Sequence, residues 1–231
     1  MTLYSNKEFL FAPSYQIAMK IRWHGHSCFE ISDSETKIII DPHDGKSIGI
    51  KPPALSANIV LVSHDHFDHN ATRVIRGEYT CVFADVGKKE IGQMVIEGFP
   101  SYHDEESGVL RGTNVIYKFK MDGITVCHCG DLGDIPSQEV IDALRGVDII
   151  FVPTGETYTL PISKLEAFLD VIDPKIIVPM HYKVGSLTLP LKTLDYFLER
   201  VSEEMILYVG NEVELYSDEI SEFMGLWVFD R

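Results

Sequence analysis

His64-Asp65-His66-Phe67-Asp68-His69 decides how this sequence is read: three imidazoles and two carboxylates fall within six consecutive residues. The chain enters this stretch from Asn58-Ile59-Val60-Leu61-Val62, an apolar, β-branched run that reads as a buried strand. It leaves through Asn70-Ala71-Thr72-Arg73, which reads as a helix start, so the hexapeptide is a strand-to-helix corner. A solvated loop has no reason to collect such side chains. Imidazole nitrogen is a favoured donor to zinc, and carboxylate oxygens complete sites that also need hard ligands. The corner is therefore read as metal-ligating.

Outward from this corner the same grammar recurs, with strands that end in chemistry. Between Tyr15 and Asp41 lie three short apolar segments, read as a meander; the third, Lys37-Ile38-Ile39-Ile40, is too apolar to alternate and is expected to be buried on both faces. Segments Val115 to Lys120 and Ile124 to Cys129 flank Asp122-Gly123, a strong hairpin signal, and the second ends at Gly130-Asp131. Ser137 to Leu144 and Ser163 to Ile172 read as serine-capped helices, each followed by a short apolar strand, Asp148 to Val152 and Lys175 to Val178. Leu191 to Val201 reads as a third helix and Met205 to Tyr216 as two edge strands. The apolar tail Phe223 to Phe229 either covers the core or forms a subunit contact in a homo-oligomer. Strands followed by β/α alternation imply an α/β fold of mixed sheets covered by helices. Loops beyond the strand ends would gather Asp41, His64, Asp131 and His181.

Composition bounds the function. The chain has 231 residues, 45% hydrophobic and 24% charged, ordinary globular values that fit one domain over residues 1–231. Acidic residues number 35 against 20 basic ones, a net charge of −15. That balance disfavours nucleic acid and anionic membranes as partners and leaves a small-molecule substrate as the expectation. No apolar run approaches the roughly 20 residues that cross a bilayer. Lys7 and Glu8 interrupt the start without a signal-peptide layout, so a cytoplasmic location is expected. Cys28, Cys81, Cys127 and Cys129 lack disulfide-framework spacing and are expected to be buried, reduced thiols.

The corner resembles the H-x-H-x-D-H motif of the metallo-β-lactamase superfamily, matched by His64, His66, Asp68 and His69. Asp41 matches the acidic residue that closes that family's early strand, and His103, Asp131 and His181 match its later motif positions in order, so the resemblance spans about residues 15 to 185. Trp23-His24-Gly25-His26, Tyr102-His103-Asp104 and Gly130-Asp131-Leu132-Gly133 look closest to the branch containing ascorbate-6-phosphate lactonase and zinc-dependent hydrolases. The resemblance implies a four-layer αββα sandwich with two divalent metal ions, zinc foremost and manganese or iron as alternatives. His64, His66 and His103 would hold one ion, Asp68, His69 and His181 the other, with Asp131 bridging. A hydroxide held between the ions would attack a small ester, lactone or phosphoester, with Asp68 ligating and orienting it and Asp41 acting from behind a ligand. The alternative is a phosphodiesterase or nuclease of the same fold, and a third reading is a non-enzymatic metal-stabilised module. Having His66 instead of glutamate argues against the di-iron, oxygen-reducing branch.

Several residues carry weaker expectations. His26 lines the mouth of the site or is a hydrogen-bonded structural histidine, and His43 follows Asp41-Pro42 toward the cleft. His128 is expected in the core, opposite Asp131. Arg111, in the flap after His103, either binds a substrate anion or pairs with Glu105 or Glu106. Glu156 either borders the cleft, disfavouring anionic substrates, or points to solvent. Tyr182 and Lys183 are candidate proton donors from their position after His181.

Overall fold

A computed structural model describes residues 18–230, so Tyr15, where the first strand is expected to begin, lies outside the described residues. In chain order the first strands are β1 (Met19–Gly25), β2 (Cys28–Ser32), β3 (Lys37–Ile40), β4 (Leu55–Ser56), β5 (Ile59–Val62), β6 (Ile75–Arg76) and β7 (Thr80–Phe83). Then follow β8 (Gly87–Ile91), β9 (Met94–Tyr102), β10 (Thr113–Met121) and β11 (Ile124–His128). Helix α1 (Gln138–Leu144), β12 (Ile149–Pro153), α2 (Ile162–Ile172), β13 (Ile176–Met180) and α3 (Asp195–Leu198) alternate before β14 (Ile206–Gly210), β15 (Glu212–Leu215) and β16 (Gly225–Phe229).

These strands form a six-stranded sheet in the order β15-β1-β2-β3-β5-β7 and an eight-stranded sheet in the order β14-β16-β13-β12-β11-β10-β9-β8. Side-chain parity explains how the sheets stack. Ile38, Ile40, Ile59 and Leu61 from one sheet meet Val126, Ile149, Phe151 and Val178 from the other in a shared core. The alternate residues Cys127, Ile150 and Val152 point outward and are covered by Val140 and Leu144 of α1 and Leu165 and Phe168 of α2. Strands buried on both faces must be apolar throughout, which is why Lys37–Ile40, Ile59–Val62 and Ile149–Pro153 do not alternate. The fold is the expected αββα-type sandwich. Over the six-stranded sheet, the outer layer among the described residues is the small parallel β4–β6 pair, with Leu55 and Ile75 against Ile39, Val60 and Val62.

Several elements differ from the sequence reading. The helix expected after the hexapeptide is a single 3-10 turn, Thr72–Val74, because Ala71 donates its N–H across to Pro42 and the chain then enters β6. Helix α2 begins at Ile162 behind Pro161, one residue ahead of the expected serine cap. Only Asp195–Leu198 of the expected third helix forms, since Lys192 accepts from the Lys183 N–H and donates to the Gly155 carbonyl. The two edge strands near the C-terminus part company, β14 edging one sheet and β15 the other. The apolar tail becomes β16, buried between β13 and β14, so the core takes it up. Among the cysteines, Cys81 on the edge strand β7 is exposed, while the other three are buried; all four are free.

Candidate metal centre

The ends of β3, β5, β9, β11 and β13 deliver Asp41, the hexapeptide, His103, Asp131 and His181 to one place. Donor atoms of His64, His66 and His103 lie within 4.8 Å of one another, as do those of Asp68, His69 and His181 together with His26. Between these groups sits Asp131. Its Oδ2 is 3.1 Å from His181 Nε2, 3.2 Å from His103 Nε2, 3.3 Å from His69 Nε2 and 3.8 Å from His64 Nε2. All seven residues matched to the motif are thus brought together, and all but the half-buried His66 are buried.

Hydrogen bonds behind the cluster set which ring nitrogen faces inward. Asp41 accepts from the Ser63 N–H (2.8 Å) and from Ser63 Oγ (2.7 Å), and His69 Nδ1 is 2.9 Å from its Oδ2. Because the Ser63 hydroxyl spends its proton on Asp41, it accepts from His64 Nδ1 at 2.9 Å. His103 Nδ1 donates to the Tyr158 carbonyl at 2.9 Å. In each ring Nδ1 carries the outward proton and Nε2 is left for the centre. His128 is the counterexample, with Nε2 donating to Ser27 O and Nδ1 accepting from Gly130, which makes it a satisfied core histidine.

The electrostatics call for a cation. Burial would raise the Asp131 carboxyl, but His181 and His69 beside it outweigh that and hold it well below the usual range; Asp41 and Asp68 are held low in the same way, with His69 as the main partner. Burial opposes protonation of His69, yet Asp131, Asp68 and Asp41 around it keep its pKa well above the ordinary value. Burial lowers His64 to about 3. Without an ion, only imidazoles such as His69 and His103, both raised by Asp131, are there to balance three buried carboxylates. His64 Nε2 and Asp131 Oδ1 are buried with no hydrogen-bond partner among the described residues. Orphaned atoms facing one another in a set of imidazoles and carboxylates fit divalent metal ions.

The remaining expectations divide. His26 is fully buried, with Nε2 3.0 Å from Asp68 Oδ2, so it lies inside the cluster and not at its mouth. His43 is buried and donates from Nε2 toward the carbonyls of His24 and Gly25, tethering the β1–β2 turn. The Glu156 carboxylate accepts from the Ile162 N–H and is tied to the start of α2. Tyr182 is buried with its hydroxyl 3.5 Å from the Phe229 carbonyl, in a cavity it lines with Trp23 and Leu194 that contains none of the seven motif residues. It is therefore withdrawn from any substrate role here: His181 adopts a left-handed φ of 53°, strand alternation fails across it, and the next side chain turns back between the sheets. Lys183 Nζ is held by the Leu187 and Leu189 carbonyls.

Arg111 remains at the rim. Its guanidinium lies 3.7 Å above the Tyr158 ring, and no carboxylate approaches within 4 Å among the described residues. Glu105 pairs with Lys164 instead, and the Asp104 carboxylate accepts four backbone N–H groups, from Glu106, Gly108, Leu110 and Arg111. Sequence reasoning missed Ser63, Asn114 and Tyr158. Ser63 adjoins the motif and could have been suspected. Asn114, which accepts from the Asp131 N–H and donates to the Cys129 carbonyl, offers no signal in one sequence.

Comparison with known proteins agrees with this fold. A Zn-dependent-hydrolase assignment within the metallo-β-lactamase superfamily attaches to a crystal structure from Thermotoga maritima, which is 30% identical and covers 91% of this chain and 98% of its own, with a TM-score of 0.75. A UPF0173 metal-dependent hydrolase of Archaeoglobus fulgidus is 29% identical over 77% of this chain and 87% of its own length. One from Thermococcus kodakarensis is 26% identical over 85% of this chain and its entire length. Residues 20–181 match the Beta-lactamase superfamily domain, and this chain belongs to the metallo-β-lactamase superfamily of metal-dependent hydrolases.

Proposed function

We propose that the chain is a single-domain, binuclear hydrolase of a small ester, lactone or phosphoester, working in a reducing, cytoplasmic compartment. The observation that carries the proposal is Asp131 Oδ2 lying among the Nε2 atoms of His69, His103 and His181, between two separate donor groups. His64, His66 and His103 would hold one ion and Asp68, His69 and His181 the other, with Asp131 between the two groups. Two divalent ions, zinc by preference and manganese or iron as alternatives, supply an activated water and polarise the substrate oxygen that gathers negative charge.

The chain's own residues do the rest. Asp41 fixes His69 directly and His64 through Ser63, so both rings are oriented before any ligand arrives. Tyr158 does the same for His103 through its backbone carbonyl and supports Arg111 with its ring. Asp68, beside His69, would accept a hydrogen bond from the attacking water. Arg111 presents a guanidinium to an anionic group of the substrate. Free cysteines fit a reducing compartment, and no helix among the described residues is long and apolar enough to cross a membrane.

Elemental analysis of protein purified without chelator tests the reading. Two metal equivalents per chain, lost together with lactone or ester turnover in Asp131→Ala while circular dichroism is preserved, is the expected result. One equivalent or none after incubation with zinc, manganese or iron would overturn it.

A further inference from the structure

The metal-centre reading leaves one buried group unused, His26, and the inference that follows rests on that reading. His26 opens the two-residue connection between β1 and β2 with a φ of 55°, a position where glycine is the unstrained choice and a side chain costs on the order of 1 kcal/mol. The turn is held from both sheets. Trp23 Nε1 donates to the His26 carbonyl at 3.0 Å, and the His181 N–H approaches the same oxygen at 3.4 Å. The ring is thereby pressed into the second donor group, 4.5 Å from the His181 ring and 5.1 Å from the His69 ring. Its Nδ1 is buried with no hydrogen-bond partner among the described residues, and its Nε2 faces Asp68 Oδ2 at 3.0 Å. A histidine kept for structure alone would resemble His128, with both nitrogens satisfied.

We propose that His26 is a positioning residue for the metal centre: its Nε2–H donates to Asp68 Oδ2 and holds that carboxylate beside His69 and His181, so that the β1–β2 turn sets the second ion's affinity. Among the described residues, Asp68 is otherwise held only from its own loop, where His69 Nε2 lies 3.5 Å away. The contact ties this loop of the six-stranded sheet to the same turn that touches His181 of the other sheet.

The test compares His26→Phe, which removes the donor but keeps the volume, with His26→Gln, whose terminal amide restores a donor near Nε2. Each is titrated with zinc against a competing chelator, with melting of the metal-free protein as the folding control. The expected result is a loss of about tenfold or more in one of the two zinc affinities for His26→Phe, with substantial recovery in His26→Gln. Both affinities unchanged in His26→Phe would overturn the proposal. Equal losses in both variants at unchanged melting would also overturn it, assigning His26 as a ligand instead. A second readout is independent of metal. In long-range 15N–1H spectra of the metal-free protein, His26 is expected as the Nε2–H tautomer, its proton protected in the wild type and exchanging faster in Asp68→Ala. If the wild type bound no zinc, the binuclear reading would fail, and the tautomer and its dependence on Asp68 would still decide whether the contact exists.

Discussion

Asp41 organises the centre without facing it. One carboxylate engages Ser63 through both backbone and hydroxyl and also engages His69, so it determines the tautomers of two ligand rings at once. Asp41→Asn keeps the shape and loses the charge; metal affinity is expected to fall about 10- to 100-fold in chelator competition. Asp41→Ala leaves the buried groups unpaired and should cost about 3–5 kcal/mol in denaturant unfolding. Arg111 is a different case, an exposed cation whose proposed work is confined to substrate. Arg111→Ala should raise KM for anionic substrates roughly tenfold at low salt, an effect that shrinks as salt rises, while kcat for neutral esters stays near wild type. At this scale the ligands were legible because imidazoles and carboxylates at strand ends have few other reasons to be there. The roles of Ser63, Asn114 and Tyr182 depended on which way a neighbouring backbone turned, and strand parity fails at left-handed residues such as His181.

The flap from Asp104 to Gly112 is an element made by one side chain. Four amides converge on the Asp104 carboxylate, and the flap returns to the motif where His103 N–H donates to Gly112 O. Desolvation opposes ionisation, but those donors hold the carboxyl below its ordinary value. The organising effect is therefore present above the unfolded carboxyl pKa of about 4 and lost as pH falls through the lower folded value. Asp104→Ala should speed hydrogen exchange of the Glu106, Gly108, Leu110 and Arg111 amides by about tenfold or more at neutral pH, with core strands unchanged. Strands buried on both faces announced themselves by composition. The β8–β9 hairpin did not, because Gly98 and Pro100 interrupt β9 as breakers would. Gly98 is there for close packing: a Cβ would stand 2.1 Å from the Asp85 carbonyl.

Across the whole molecule, the donors come from both sheets, with the hexapeptide from the six-stranded sheet and His103, Asp131 and His181 from the eight-stranded one. Bound ions therefore staple the sandwich. Chelation should lower the melting temperature, each ion contributing about 4 kcal/mol when free metal exceeds its dissociation constant a thousandfold. The metal-free protein should also be acid-sensitive. Burial lowers His26 to about 4 and His64 to about 3, so below the unfolded pKa of about 6.5 the unfolded chain binds protons that the folded one refuses. Stability should then fall with pH from about 6.5 toward 4, by up to roughly 1.4 kcal/mol per unit for each such group. His69, raised by its carboxylates, is protonated in both states over that range and does not cancel the loss. Thermal melts of chelated protein at pH 7 and 5 check the sign, and equal melting temperatures would contradict it.

Drawing the centre from both sheets also gives it a history during synthesis. The hexapeptide leaves the ribosome early, while His181 and the β16 strand beside β13 lie far downstream. A nascent chain that has exposed only β1 to β7 would hold half a set of donors and no bridging carboxylate, so metal loading would await nearly complete translation. Arrival of the ions thus becomes a seal on a finished sandwich, and chains truncated before His181 would lack it.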